Sequence, residues 1–366
     1  MHKRRHSVPD WRTRHLPVII AGHQDRRHAR QPSRYMQNEI TLTIEQVRLL
    51  ARTAIESLGY SAADAAIIAD HVIDAELCGY GYSGLAKILN VAENPRSRRS
   101  RRPISITRET DVSALIDGGG NVGMLSMYRA TEIVIEKAKK SGIAIVGVYD
   151  TFNSGRGAYY LEMVTKADLV GIHWVSASLQ VAPPGGTKPA LGTNPITFGI
   201  PTARGPMIFD MGTAAMMGSD LMLKCRTNER LPEGAAIDSE GKPTTDPHEA
   251  RSGSILTFGG YKGFGLSLCI QALGLLAGTA SATEKYYGFV LVAIDPALLV
   301  PVEDFKNEVA SLLDRLKATP LQPDVAEIRI PSERAFRERA QRLKRGTISI
   351  EQRVYDALVS MPRTTR

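Results

Sequence analysis

Apolar positions along this chain fall into two textures, one at helical spacing and one at strand spacing. Periodic pattern begins after Met36. Thr43 and Gln46 form a capping box, and Ile44, Val47, Leu50, Ala51, Ala54 and Leu58 hold helical spacing until Gly59. Ser61 with Asp64 repeats the start signal, and a second helix runs to about Leu77. Gly79-Tyr80-Gly81-Tyr82-Ser83-Gly84 interrupts it, and a third helix follows through Lys87, Ile88 and Leu89. Three helices over 36–110 predict a helical lobe.

From Asp111 the texture changes. Ala114 to Ile116, Ile143 to Tyr149, Leu169 to Val175, Ile196 to Ile200, Met207 to Asp210 and Phe289 to Asp295 read as strands. Ser126 to Lys140 reads as a helix closed by Ser141-Gly142. Gly265 to Leu276 is almost wholly apolar, which predicts a buried helix. Pro301 to Leu316 and Ser332 to Lys344 are charged amphipathic helices. The pattern predicts an α/β fold: a mixed-sheet domain over 111–295, and a helical lobe over 36–110 that residues 296–366 rejoin.

Charge changes the picture only at the start. The net charge is +8 over 366 residues. Residues 1–35 hold nine Lys and Arg against Asp10 and Asp25, or +7, which leaves +1 for the rest. A body so near neutrality is not built to bind a polyanion, and no nucleic-acid partner is expected. The head has no helical period and no apolar core of a secretory signal, so it reads as a disordered basic extension outside the fold. No apolar run reaches the ~18 residues of a membrane span. Cys78, Cys225 and Cys269 are odd in number and widely spaced, as in a reduced cytoplasmic protein without a metal cage.

Candidate chemistry gathers at Thr151 to Tyr160, where Ser154, Gly155 and Gly157 beside Arg156 make a turn that lets backbone approach a ligand. No G-x-G-x-x-G follows a strand, and there is no P-loop. The five arginines of 96–102 read as a solvated linker, with a cofactor phosphate or an acidic partner as the sharper alternative.

Four blocks then carry a resemblance. They are Ala75 to Lys87; Gly142 through Asn153 to Tyr160; Pro184-Gly185-Gly186 with Leu191 to Pro195, Ile200-Pro201 and Phe209-Asp210-Met211; and Leu231 to Gly234 with Pro243 to Pro247 and Gly259 to Gly263. In this order they resemble the type-2 malate/L-lactate dehydrogenase family over 36–366. The resemblance implies a non-Rossmann NAD(P)-binding fold, NADPH or NADH as cofactor, and a homodimer with the active site near the subunit interface. It also implies cofactor contacts at Met207, Ile208, Phe209, Asp210, Met211, Gly212 and Thr213, at Thr193 and Asn194, at Lys262 and Gly263, and at Ser332, Glu333 and Arg334.

The departures from the family bear on the substrate. The family's proton-donating histidine is Ser83 here, its substrate-binding arginine is Lys87, and a second histidine is Asn153. Only His71, His173 and His248 remain beyond residue 35, and each reads as structural. Reduction of a ketone leaves an alkoxide that needs a positioned acid, which neither Ser nor Asn supplies. A protonated cyclic imine accepts hydride and becomes a neutral amine with no acid required. The sequence therefore points to 1-pyrroline-2-carboxylate, reduced to L-proline, or 1-piperideine-2-carboxylate, reduced to L-pipecolate; block one also resembles that reductase branch. Lys87 is expected to pair the carboxylate and Ser83 to hydrogen-bond the substrate. Asp210 is expected to favour the iminium or hold the carboxamide, and Asn153 to orient a reactant. The alternatives are a 2-hydroxy-acid dehydrogenase of the malate, L-lactate or ureidoglycolate type, with Lys87, Tyr82 or water as the acid, and an inactive dinucleotide-binding homologue.

Overall fold

The computed structural model describes residues 39–277 and 288–362. The expectation for residues 1–35 lies outside the described residues. The first element is a strand the pattern did not announce, β1 (Glu39–Thr43), which ends at the N-cap of α1 (Ile44–Ser57). The capping box forms at Thr43 and Gln46, each side chain closing on the other's backbone N–H. α2 (Ala62–Leu77) starts at Ser61, whose hydroxyl accepts from the Asp64 N–H. A 3-10 turn over Gly81–Ser83 leads into α3 (Ala86–Glu93).

The second texture forms the sheet. β2 (Ser105–Thr110) and β3 (Ser113–Asp117) make a hairpin, and α4 (Gly123–Ser141) returns the chain to β4 (Ile143–Tyr149), parallel to β3. α5 (Gly157–Lys166) connects to β5 (Val170–Ser176), and β6 (Ile196–Ile200) and β7 (Met207–Met211) follow as antiparallel neighbours. α6 (Gly218–Thr227) and α7 (Pro247–Ser252) flank a three-stranded sheet of β8 (Ala236–Ile237), β9 (Pro243–Thr244) and β10 (Ser254–Ile255). α8 (Tyr261–Gly274) precedes β11 (Gly288–Ile294), which inserts between β4 and β5. The large sheet therefore runs β2-β3-β4-β11-β5-β6-β7.

α9 (Val302–Lys317), α10 (Glu333–Arg345), β12 (Thr347–Glu351) and α11 (Gln352–Val359) complete the chain. β12 pairs antiparallel with β1, so the two ends of the described chain are joined strand to strand. One apolar core unites α1, α2 and α3 with β12 and α11; a second fills the space between α4, α5 and the sheet. α8 corrects an expectation. It buries Gly263, Ser267, Ile270 and Gly274, whereas Leu268 is 52% exposed and Leu276, just beyond it, 60%. Part of the apolar surface of α8 is therefore turned outward and is not a buried core stripe.

Candidate functional site

The register of three strands builds the floor of the site. His173 on β5 lies opposite Thr197 on β6, and Thr197 lies opposite Asp210 on β7, so the three side chains share one face. The Thr197 hydroxyl donates to Asp210 Oδ1 at 2.9 Å, and the Ala158 N–H, in the first turn of α5, donates to Oδ2 at 2.9 Å. The first turn of α5 and the Thr197 hydroxyl thus fix the orientation of the Asp210 carboxylate from two sides. Gly157 permits this approach, because a Cβ at that position would lie 2.1 Å from the Thr197 hydroxyl.

His173 is buried, and its Nδ1 faces the Val290 carbonyl at 2.9 Å. A carbonyl only accepts, so Nδ1 carries the hydrogen and Nε2 presents a lone pair, which has no partner among the described residues. Burial lowers the pKa of the ring and keeps it neutral.

A cavity of about 70 Å³ opens over this floor, lined also by Tyr80, Tyr82, Ser83, Ser154, Arg156, Met211, Gly212 and Ser332. The 79–84 loop is held from below by Glu76, whose Oε1 accepts the Leu85 N–H at 2.7 Å. Burial raises that carboxyl to about 7. Tyr82 is also pushed up, by burial and then by the charge of Asp210. Arg156 caps α5 from a buried position: its N–H donates to His71 Nε2 at 2.9 Å and its Nη1 donates to Asp74 at 2.7 Å. Gly155 beside it has φ +72°, and a Cβ there would lie 2.1 Å from His71 Nε2.

The structure brings several expected residues together. Ser332, at the N-cap of α10, donates to the Ile208 carbonyl at 2.7 Å, which ties the 332–334 segment to Met207–Met211. Thr213 donates from its N–H and hydroxyl to the Thr193 carbonyl, at 2.9 and 3.2 Å. Phe209 is exposed and Gly212 half-buried, so this strand end is open to a ligand.

Others stand apart. The Asn194 side chain is fully buried and spent on the Ala177 N–H, Ser267 and Gln271, so it braces β6 against α8. Lys262 is exposed and Gly263 buried in the first turn of α8. Glu333 pairs Lys317, and Arg334 pairs Glu338 while packing over the Tyr80 ring. Lys87 and Asn153 line an adjoining cleft of about 360 Å³, where Lys87 Nζ donates to the Ser219 hydroxyl at 2.5 Å. Burial lowers the pKa of Lys87 to about 8.

In the arginine loop Arg98 and Arg99 are exposed, as in a solvated linker, while the other three make structural contacts. Arg96 donates to the Thr151 carbonyl, Arg101 to the Leu58 and Gly59 carbonyls, and Arg102 pairs Asp117 and Asp150. Arg96 and Arg102 thus brace the turn that carries the site, and Arg101 holds the end of α1. Of the three histidines, His71 supports Arg156 and His248 is exposed beside Asn228. His173 stands in the cavity wall, which sequence reasoning missed. Its alternation within β5 put it on one face, but nothing local says which face meets the cavity.

Residues 42–359 match the malate/L-lactate dehydrogenase family. The chain belongs to that family. It is 35% identical to the malate/(S)-sulfolactate dehydrogenase of Methanothermus fervidus over 327 residues, 86% of this chain and 95% of the relative. It is 29% identical to the Δ1-pyrroline-2-carboxylate reductase of Ancylobacter novellus over 326 residues, 85% of this chain and 94% of the relative. The malate dehydrogenase structure from Pyrococcus horikoshii superimposes with a TM-score of 0.79 at 29% identity, covering 89% of this chain and 95% of that one. The family member described here is therefore an oxidoreductase that uses a nicotinamide cofactor.

The residues present fit that cofactor. Gly259 and Gly260 have positive φ with open space where a Cβ would stand, and they lead into the first turn of α8 with its exposed Lys262. That arrangement suits a phosphate, while the Met207–Thr213 segment and Ser332 suit an uncharged ring and amide. Among the described residues no cluster of His, Cys, Asp or Glu could hold a metal ion, and no helix is long and apolar enough to cross a membrane.

Proposed function

We propose that this protein reduces a small cyclic imino acid with NADPH or NADH: 1-pyrroline-2-carboxylate to L-proline, and its six-membered homologue 1-piperideine-2-carboxylate to L-pipecolate. One observation carries the reading. The cavity over β5, β6 and β7 is walled by the acceptor Asp210 and by His173, whose unpartnered Nε2 lies buried in that wall, and no lining group is poised to give up a proton near pH 7. His173 is neutral with its one hydrogen spent on Val290, and the Tyr82 phenol is held protonated.

Acceptors suit an iminium. A bound nicotinamide would supply a hydride to the ring carbon; with the C=N π electrons passing to nitrogen, the positive charge would be discharged without a proton from the protein. Asp210 favours the cationic form of the ring before transfer, and His173 Nε2 accepts from its N–H. Ser83 lies in the same wall to hydrogen-bond the substrate or a water. Asn153, at φ +55° in the adjoining cleft, orients a reactant from outside this cavity. The homodimer belongs to the same proposal, with the outward apolar face of α8 as its contact.

A second reading is favoured by Lys87, whose buried ammonium, lowered to about 8, is a serviceable acid. With it the chain would be a 2-hydroxy-acid dehydrogenase, as the names of its malate and sulfolactate relatives suggest. Oxidation of NADPH and NADH by the purified full chain, offered each imine, pyruvate and oxaloacetate in parallel, separates the two. Imine turnover with slow or silent keto acids is expected. Rapid keto-acid turnover that Lys87→Met abolishes would establish the second reading.

A further inference from the structure

Every candidate substrate carries a carboxylate on the carbon next to, or at, the reacting centre, so the site needs a cation close to Asp210 and Ser83. Lys87, the residue sequence reasoning chose, faces the adjoining cleft with its ammonium on Ser219. The cation in the wall of the Asp210 cavity is Arg156.

Its setting is that of a fixed receptor. The side chain is 6% exposed, and its orientation is set by Asp74, which is itself held by Arg339 from α10 at 2.8 Å. The backbone of Arg156 is pinned to His71, and the guanidinium carbon packs 4.7 Å from the centre of the Tyr80 ring. Among the described residues, only Nη1 has a side-chain hydrogen-bond partner. Nε and Nη2 make no hydrogen bond among the described residues and are not fully buried, and Arg156 lines the cavity. A guanidinium held by one edge with donors left over is shaped to take a carboxylate.

We propose that Arg156, and not Lys87, anchors the substrate carboxylate, with the reacting C=N or C=O directed toward Asp210 and His173. The cavity then has a cationic end and an acceptor end, matched to a zwitterionic iminium carboxylate. The assignment stands apart from the choice between imine and ketone, because both kinds of acid carry the same anion.

The test is substrate discrimination. Arg156→Gln, Arg156→Lys and Lys87→Gln are compared with the wild type on 1-pyrroline-2-carboxylate and on 2-methyl-1-pyrroline, which lacks the carboxylate. Arg156→Gln should lower kcat/KM for the acid on the order of 30- to 100-fold, mainly through KM, and that for the neutral imine by less than about threefold. The Kd for NADPH, read by fluorescence, should not move. Equal losses on both substrates would make Arg156 merely structural, and loss of the preference in Lys87→Gln instead would return the role to Lys87; either overturns the proposal. Should Arg156→Gln fail to fold, Arg156→Lys keeps the charge but not the fork, and a loss confined to the acid is again required. Should the wild type prefer keto acids, the imine reading fails by itself, and pyruvate against methyl pyruvate becomes the pair that tests Arg156.

Discussion

Asp210→Asn removes one negative charge and little else. Asn keeps the size of the side chain: its oxygen accepts from the Ala158 N–H, and its NH2 turns to Thr197, whose hydroxyl accepts in place of donating. The fold should survive with a small change in Tm. The charge matters more. A carboxylate about 4 Å from an iminium gives about 4 kcal/mol at an effective dielectric near 20. Asp210 is on an exposed stretch of wall, so we expect about 2–3 kcal/mol, or roughly 30- to 150-fold in kcat/KM. Steady-state NAD(P)H oxidation with 1-pyrroline-2-carboxylate reads this loss. With a keto acid the sign reverses, because a fixed anion opposes a developing alkoxide, and Asn should leave the rate unchanged or raise it. An imine kcat/KM within about threefold of wild type would refute the electrostatic role of Asp210.

Three further outcomes follow from buried groups and one turn. Burial brings Lys87 from 10.5 to about 8, so between those values the unfolded chain binds the extra proton and stability rises with pH. Lys87→Met should stabilise at pH 7 by about 1–3 kcal/mol and abolish that rise, as read from urea midpoints. Glu76 has the opposite sense: its carboxyl is raised from 4.5 to about 7, so the unfolded chain loses its proton first and stability falls as pH climbs through that window. Glu76→Gln keeps an acceptor for the Leu85 N–H and should stabilise by about 1–3 kcal/mol at pH 8 but little at pH 4.5, by the same assay. Gly155→Ala forces a Cβ against His71 at a positive φ and should cost about 2–3 kcal/mol, seen as a lowered Tm by calorimetry.

Local chemistry was legible where it acts locally. The capping box at Thr43, the bounds of Ile143–Tyr149 and Ile196–Ile200, and the glycine that closes α4 all follow from neighbours in sequence. β2 was not legible, since every one of its residues is exposed and no apolar alternation marks it. Nor was the pairing of β1 with β12, which joins residues about three hundred positions apart. α8 shows the limit of composition, because an apolar helix reads alike whether its outer face meets core or another chain.

The site divides the same way. The family resemblance led to Asp210, Ser83 and Ser332, which the fold gathers around one cavity. His173 and Arg156 needed the strand register and the packing of α2 against α5, neither of which a linear pattern carries. Lys87 and Ser83 are one helical turn apart in sequence, yet they line different cavities because the chain turns sharply between them.

The central claim is that hydride from the cofactor goes to a carbon of a C=N bond. Full-length protein, given 4-deuterated NADPH or NADH with equal amounts of 1-pyrroline-2-carboxylate and pyruvate, should place deuterium at C2 of L-proline, as read by mass spectrometry, with lactate nearly unlabelled. Label that accumulates in lactate while proline stays unlabelled would contradict the account.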